Sequence, residues 1–185
     1  MTLEVLLILF SHEHENLEHC NIITFYLTNN PKNLPVYLFG VSMGSATVMN
    51  VTEMELPKCV AGVIADCGYS STKEIVASCG WRWMHVPSFP FVAFVNFFCR
   101  WLALFDMKES NSKKALASCR VPVIFIHGTG DEFVLPENTI RNYEACRSEK
   151  ELLWIDGAAH ACAHYKDPEK YENAVNAFFE RHDAQ

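Results

Sequence analysis

Val36–Ala46 reads VYLFGVSMGSA: an apolar run, then the pattern Gly-x-Ser-x-Gly centred on Ser42, then small residues that suit a helix. Between a strand and a helix, this pattern is typical of a nucleophile elbow, in which the glycines leave room for a sharp turn and expose the serine hydroxyl. The N–H of Met43, at the start of the helix, would point to where a tetrahedral oxyanion forms. The stretch therefore predicts Ser42 as a nucleophile and Met43 as an oxyanion-hole donor.

A serine nucleophile needs a base and an acid that orients the base, and candidates for both follow later apolar runs. Asp131 follows the run Val121–Ile126, and His160 follows the run Leu152–Ile155. The order serine, acid, histidine fits the elbow, and the ends of parallel strands meet at one sheet edge. We predict that Ser42 attacks the substrate, His160 is the general base and Asp131 holds the imidazole.

Other residues compete for the acid and the base. Asp66 ends the run Val60–Ala65 and is an alternative acid, while His164 is an alternative base. Asp156 precedes its turn and is expected to be structural, and Cys162 is expected to be a packed thiol.

The fold class follows from four short apolar runs without in-out alternation: Val36–Phe39, Val60–Ala65, Val121–Ile126 and Leu152–Ile155. Such runs are typical of parallel strands covered on both faces. Helical segments follow Ser42, begin at Pro136 and begin at Asp167-Pro168. We predict an α/β fold with a mostly parallel sheet and helices on both faces. Leu3–Phe10 is expected to add a strand, and a helix is expected to contain Leu17, Cys20, Ile23 and Leu27.

The interval between the second and third runs is longer than a crossover helix requires, and it is rich in aromatic residues and prolines. It predicts a cap insertion over the active site, with Phe89, Phe94, Phe97 and Trp101 binding substrate. We expect a single domain: residues 1–35 form the N-terminal strand and helix, 36–70 the elbow region, 71–117 the cap, and 118–185 the acid and histidine strands with the C-terminal helix.

Four stretches carry a resemblance to a known family: Phe39–Ala46, Asp66–Tyr69, Ile126–Val134 and Gly157–His160. They resemble the α/β-hydrolase superfamily, and within it the bacterial esterase-like group related to serine aminopeptidases and prolyl oligopeptidase catalytic domains. The resemblance implies a Ser–His–Asp acyl-transfer enzyme that needs no cofactor.

The chain departs from the family pattern in three places. Ser45 stands where many members have a second glycine, and Leu135 separates Val134 from Pro136. The family's first strands, and the loop with the second oxyanion donor, are expected to precede residue 1. Loss of one such donor typically lowers turnover by about 10²–10³-fold. We therefore expect an N-terminally truncated hydrolase of weak activity.

Composition restricts the partners and the compartment. The net charge of −7 argues against non-specific nucleic-acid binding. Eight scattered cysteines without a C-x-x-C pair, and no secretory signal, predict reduced thiols and a cytoplasmic location. The apolar stretch Phe89–Phe105 is interrupted by polar residues and falls short of membrane-spanning length. His12, His14 and His19 lack the H-E-x-x-H spacing of zinc proteases, so no metal is expected.

These features predict a serine hydrolase of carboxylic esters with an apolar acyl or alcohol part. Peptide or amide cleavage is the alternative, since the same triad serves both. Two other classes stay open: a catalytically impaired binding module, and a lipase whose aromatic cap meets a membrane. We expect a small-molecule ester as partner, and a homodimer formed through an exposed strand edge.

Overall fold

The computed structural model describes residues 4–7, 34–102 and 104–182. The strands are β1 (Glu4–Leu7), β2 (Val36–Val41), β3 (Val60–Asp66), β4 (Val123–Gly128) and β5 (Lys150–Ile155). The helices are α1 (Met43–Val51), α2 (Thr72–Met84), α3 (Ser88–Leu102), α4 (Ser112–Leu116), α5 (Glu137–Ala145), α6 (Ala163–Lys166) and α7 (Pro168–His182). The predicted N-terminal helix, the histidines at 12, 14 and 19, and Cys20 lie outside the described residues.

The five strands form one sheet in the order β1-β2-β3-β4-β5, and every neighbouring pair is parallel. Val41 pairs with Asp66, and Asp66 pairs with Ile126, so β2, β3 and β4 end at the same edge. The loops after β2, β4 and β5 therefore converge at this edge. The predicted α/β class with a parallel sheet is confirmed.

Helices cover both faces of the sheet. One core, between the sheet and helices α1, α4 and α5, contains Leu38, Met49, Val63, Leu116 and Phe125. The opposite core, between the sheet and α7, contains Tyr37, Ile64, Ile124, Tyr171 and Phe178. Successive strand residues such as Tyr37 and Leu38 point into different cores. Both positions must be apolar, which explains the unbroken apolar runs.

The segment expected to form the cap contains α2, α3 and α4, and hydrogen bonds attach it to the core. The Ser112 hydroxyl donates to the carbonyl of Tyr69 at 3.1 Å, and the Asn50 amide donates to the Ser110 hydroxyl at 2.9 Å. Glu74 of α2 accepts from Lys113 of α4 at 2.6 Å and from Arg141 of α5 at 3.1 Å. These contacts fix the base of α2 beside the sheet edge.

Helix α3 exposes most of its aromatic side chains. Val92 is its buried residue. The rings of Phe94, Phe97 and Trp101 each contact Phe98 and form what we call the aromatic face of α3. Phe89, in extended backbone before the regular part of the helix, is 81% exposed.

The described residues bear on two further expectations. No helix among them combines the length and the apolar character that crossing a membrane requires. The seven cysteines among them are free thiols: Cys59, Cys67, Cys79, Cys99, Cys119, Cys146 and Cys162.

Candidate active site

The turn between β2 and α1 holds Ser42 in a backbone conformation that side chains rarely adopt. Its φ is 56° and its ψ is −112°. The Ser42 N–H donates to the carbonyl of Asp66 at 2.9 Å, which anchors the turn to the neighbouring strand. A Cβ at Gly40 would collide with the carbonyl of Gly44, so only glycine fits there. This strained and anchored turn is compatible with the nucleophile elbow that the sequence predicts, and the nucleophilic role of Ser42 stays a prediction.

His160 lies in the loop after β5, with its imidazole beside the Ser42 hydroxyl. The distance from Ser42 Oγ to His160 Nε2 is 2.8 Å. The N–H of Gly130 donates to the carbonyl of Ala158 at 3.0 Å, which joins the histidine loop to the loop after β4. At this distance the imidazole can take the proton of the serine hydroxyl.

Asp131 accepts hydrogen bonds on both carboxylate oxygens. Its Oδ2 lies 2.7 Å from Nδ1 of His160, and its Oδ1 accepts from the N–H groups of Phe133 and Val134 at 2.8 and 2.9 Å. Burial raises the pKa of Asp131, but hydrogen bonds from His127 and His160, with the charge of His160, lower it by more. The pKa of this carboxyl is therefore held well below its usual range, and Asp131 is an anion next to the imidazole.

His127 is a buried neighbour of Asp131 to which the sequence analysis gave no role. Its Nδ1 lies 2.6 Å from the Thr139 hydroxyl of α5, and its Nε2 lies 2.9 Å from the Val134 carbonyl and 3.3 Å from Asp131 Oδ2. These contacts fix the loop that carries the acid. A histidine directly after the apolar run at Ile126 was the signal in the sequence that could have identified it.

The competing residues have other partners. Asp66 is buried, and its Oδ2 accepts from the Tyr171 hydroxyl at 3.1 Å. Burial raises the pKa of Asp66 to about 6, despite the Tyr171 hydrogen bond. His164 pairs with Glu172 at 2.9 Å, and Asp156 accepts from Thr129 at 3.0 Å. The contact to Nδ1 of His160 is made by Asp131.

Met43 begins α1 directly after Ser42. Its N–H belongs to the first turn of the helix, where backbone donors have no partner within the helix. Its side chain packs against the cluster of Ala46, Tyr69, Ile75 and Val134. The oxyanion-hole role of Met43 stays a prediction.

An open groove of about 370 Å³ lies beside His160. We call it the His160 groove, and it is lined by Arg82, Trp83, Gly130, Glu132, Phe133, Ala159 and His160. The Phe133 ring centroid lies 4.8 Å from that of His160 and 5.1 Å from that of Trp83. Trp83 lies at the end of α2, and Phe133 lies in the loop after β4 that carries Asp131, which we call the acid loop.

The four aromatic residues predicted to bind substrate lie elsewhere on the cap segment. Phe94, Phe97 and Trp101 belong to the aromatic face of α3, and they are between 62% and 67% exposed. Phe89 lines a separate cavity of about 730 Å³ between α2, α3 and residues 107–111. Their substrate-binding role stays a prediction. Trp83 and Phe133, which line the His160 groove, were not among the residues selected from the sequence.

Three possible metal donors lie close together at the site. Cys67 Sγ, a carboxylate oxygen of Asp131 and a ring nitrogen of His160 lie within 4.8 Å of one another. Burial and the neighbouring charge of Asp66 raise the pKa of the Cys67 thiol, which disfavours the thiolate that binds metals. Asp131 and His160 are hydrogen-bonded to each other. A protonated Cys67 thiol and a hydrogen-bonded Asp131–His160 pair are poorly suited to bind a metal ion.

Known proteins resemble this chain in sequence and in fold. The protein YqkD of Bacillus subtilis (strain 168) is 25% identical over 143 residues, which is 77% of this chain and 47% of that protein. The chain thus spans about half the length of this relative. No protein-family profile matches the chain.

Among solved structures, the esterase Pf2001 of Pyrococcus furiosus has a TM-score of 0.66 at 20% identity, over 90% of this chain and 61% of that one. The acylaminoacyl peptidase of Pyrococcus horikoshii has a TM-score of 0.65 at 15% identity, over 90% of this chain and 27% of that one. The esterase domain of a Rhodothermus marinus protein has a TM-score of 0.63 at 19% identity, over 90% of this chain and 69% of that one.

These structures, which include esterases and a peptidase, share their fold with this chain. The chain has the α/β-hydrolase fold.

Proposed function

We propose that this protein is a serine hydrolase that cleaves carboxylic esters through a covalent acyl-enzyme. The observation that carries the proposal is the continuous hydrogen-bonded series from Ser42 Oγ to His160 Nε2 at 2.8 Å, and from His160 Nδ1 to Asp131 Oδ2 at 2.7 Å. The esterases that share the fold support it.

In the acylation step, Ser42 Oγ attacks the ester carbonyl while His160 Nε2 takes its proton. The new bond joins Oγ to the carbonyl carbon, and the bond to the leaving alkoxide breaks as His160 returns the proton to it. Asp131 stabilises the imidazolium formed between these events. Water then attacks the acyl-enzyme with His160 again as base, which releases the carboxylic acid and restores Ser42.

The surroundings of His160 favour an ester with an apolar part. Phe133 and Trp83 supply flat apolar surface next to the base. Peptide cleavage is the second candidate, because a structure of similar fold is an acylaminoacyl peptidase. The same series of hydrogen bonds serves both reactions.

The proposal is tested by comparing the rates at which the protein hydrolyses p-nitrophenyl butyrate and the anilide of the same acyl group. Ser42→Ala is expected to abolish hydrolysis of the ester, and Ser45→Ala is the matched control. Ser45 is fully buried next to the elbow, and its hydroxyl has no hydrogen-bond partner.

A Ser42→Ala variant that keeps the parental rate would exclude Ser42 as nucleophile. Faster cleavage of the anilide than of the ester would favour the peptidase. No turnover of either substrate by correctly folded protein would favour a binding module with an inherited triad.

A further inference from the structure

We propose that the His160 groove holds the leaving-group part of the substrate, and that Arg82 selects leaving groups that carry a carboxylate. This inference rests on the proposed function, because it assigns a substrate class to the same site. The substrates it implies are esters of hydroxyaryl carboxylic acids.

The position of His160 determines which part of the ester meets the groove. Its Nε2 lies 2.8 Å from Ser42 Oγ and must deliver the proton to the departing oxygen. The departing oxygen therefore lies beside the imidazole, and the rest of the leaving group extends past it. The His160 groove begins at this ring.

The walls of the groove suit a flat apolar body. The rings of Phe133 and Trp83 continue from His160 at centroid distances of 4.8 and 5.1 Å. Offset or tilted contact with such rings is favourable for a further aromatic ring. The volume of about 370 Å³ fits a small aromatic group and falls within the range of small-molecule sites.

Arg82 gives the groove an unused cation. Its Nη1 is buried and has no hydrogen-bond acceptor among the described residues. Within residues 34–102 and 104–182, its guanidinium takes part in no ion pair, although the groove also contains the carboxylate of Glu132. The guanidinium therefore has no partner among the described residues that an acceptor entering the groove would have to displace.

A carboxylate matches the guanidinium better than other acceptors do, because two parallel N–H groups can bind its two oxygens. Glu132 is exposed on the acid loop and repels the same group. Arg82 therefore favours the binding of a leaving group with a carboxylate, and Glu132 disfavours it. Each residue supplies a separate test of the proposal.

The test compares 4-acetoxybenzoate with methyl 4-acetoxybenzoate, which share the acyl group and differ in the charge of the leaving group. The readout is the ratio of kcat/KM for the carboxylate to that for the methyl ester. We expect a ratio of about ten or more in the parent, a fall of about tenfold in Arg82→Gln, a smaller fall in Arg82→Lys and a rise in Glu132→Gln.

Arg147→Gln is the matched control, because it makes the same change of charge at an exposed arginine before β5, at the opposite sheet edge. It should leave the ratio as in the parent. A ratio that is unchanged in Arg82→Gln, or that falls equally in Arg147→Gln, would overturn the proposal.

A binding measurement keeps the test separate from turnover. In the Ser42→Ala background, calorimetry should detect 4-hydroxybenzoate more strongly than methyl 4-hydroxybenzoate, and Arg82→Gln should remove the difference. If Arg82→Gln removes the difference in binding, but the parent hydrolyses neither 4-acetoxybenzoate nor its methyl ester, the proposed function fails and the carboxylate site stands. Equal binding of both phenols before and after Arg82→Gln would overturn the carboxylate site.

Discussion

At the scale of the residue, two buried aspartates lie at the same sheet edge, and their surroundings shift their pKa values in opposite directions. Asp131 accepts hydrogen bonds on both oxygens, from two backbone N–H groups and from histidine rings, so its pKa is lowered. Burial dominates at Asp66, although Tyr171 and Cys67 lower its pKa, and its Oδ1 has no hydrogen-bond partner among the described residues. Asp131 is thereby suited to hold an imidazolium, and Asp66 is not.

The first prediction follows for catalysis. Asp131→Asn should lower kcat/KM for p-nitrophenyl butyrate by about 10³-fold or more, because an amide cannot hold the required imidazole tautomer. Asp66→Asn, the matched control at the neighbouring strand end, should have a far smaller effect. The opposite ranking would assign the acid to Asp66.

The second prediction concerns the pH dependence of stability. The unfolded Asp66 carboxyl loses its proton near 3.8 and the folded one near a pKa of about 6. Between these values the folded state binds more protons, so the free energy of unfolding falls as pH rises. A shift of this size corresponds to on the order of 3 kcal/mol.

Asp66→Asn should remove this fall in the free energy of unfolding with rising pH, since the amide stays neutral. Urea unfolding at pH 4 and pH 8 should therefore show the variant gaining stability over the parent only at the higher pH. A variant that is less stable than the parent at pH 8 would show that the ionised carboxyl is favourable in the fold.

At the scale of the element, α5 and β4 fix the acid loop between them. The pair of Thr139 and His127 joins the two elements at 2.6 Å, and His127 also contacts Asp131. The position of Asp131, the proposed acid, thus depends on a contact made by helix α5.

The third prediction tests this dependence with Thr139→Val, which keeps the shape of the side chain and removes the hydroxyl. It leaves Nδ1 of His127 without its partner, which typically costs about 1–3 kcal/mol of stability. We expect kcat/KM to fall by about tenfold as His127 and Asp131 lose their fixed positions.

Thr52→Val is the control, because the Thr52 hydroxyl is also buried and donates to the carbonyl of Met49 at 2.6 Å, with no contact to His127 or Asp131 among the described residues. It should lower stability without a comparable loss of activity. Equal activity losses in the two variants would mean that the Thr139–His127 contact has no role in positioning the acid.

The elements also show why the sequence predicted some features and missed others. Apolar runs located the strands because both sheet faces are covered, but β4 was expected to end at Ile126 and continues through His127 and Gly128. Histidine fits inside the sheet here because Thr139 and the Val134 carbonyl satisfy its ring nitrogens.

The convergence of Ser42, Asp131 and His160 could be predicted because the ends of parallel strands meet at one sheet edge, and their catalytic roles stay a prediction. The His160 groove could not, since Trp83 and Arg82 reach it only through the packing of α2 against the sheet edge. The many aromatic residues in the sequence instead predicted a substrate site on α3, where Phe94, Phe97 and Trp101 are exposed.

At the scale of the whole molecule, the aromatic face of α3 is the largest exposed aromatic cluster that ring contacts join in the described residues. Phe94, Phe97 and Trp101 are each more than 60% exposed. With aromatic side chains of about 200 Å², the face presents roughly 450 Å² of apolar surface. A stable dimer buries about 800 Å² on each partner, so this face could supply more than half of that area.

The sequence analysis expected a homodimer through an exposed strand edge, which stays a prediction. As a fourth prediction, we propose instead that two copies of this chain associate through the aromatic face of α3. A membrane surface is the less suitable occupant, because Arg100 is the one charged residue of α3 and it is paired with Asp106. Light scattering should show a dimer, and Phe97→Lys should shift it to the monomer.

Ile140→Lys on α5, where the side chain is 42% exposed, is the matched control and should leave the dimer intact. A parent that stays monomeric at about 100 µM, or an equal effect of the two variants, would contradict the proposal. Binding of the parent to neutral vesicles that Phe97→Lys abolishes would assign the face to lipid instead.

The central claim is that Ser42 is a nucleophile activated by His160 and Asp131. Its most direct test is reaction of the protein with a fluorophosphonate probe, followed by intact mass and peptide mapping. We expect one adduct per chain, located on Ser42, and strongly slowed labelling in His160→Ala. Labelling at another residue, or a correctly folded chain that the probe leaves unmodified, would contradict it.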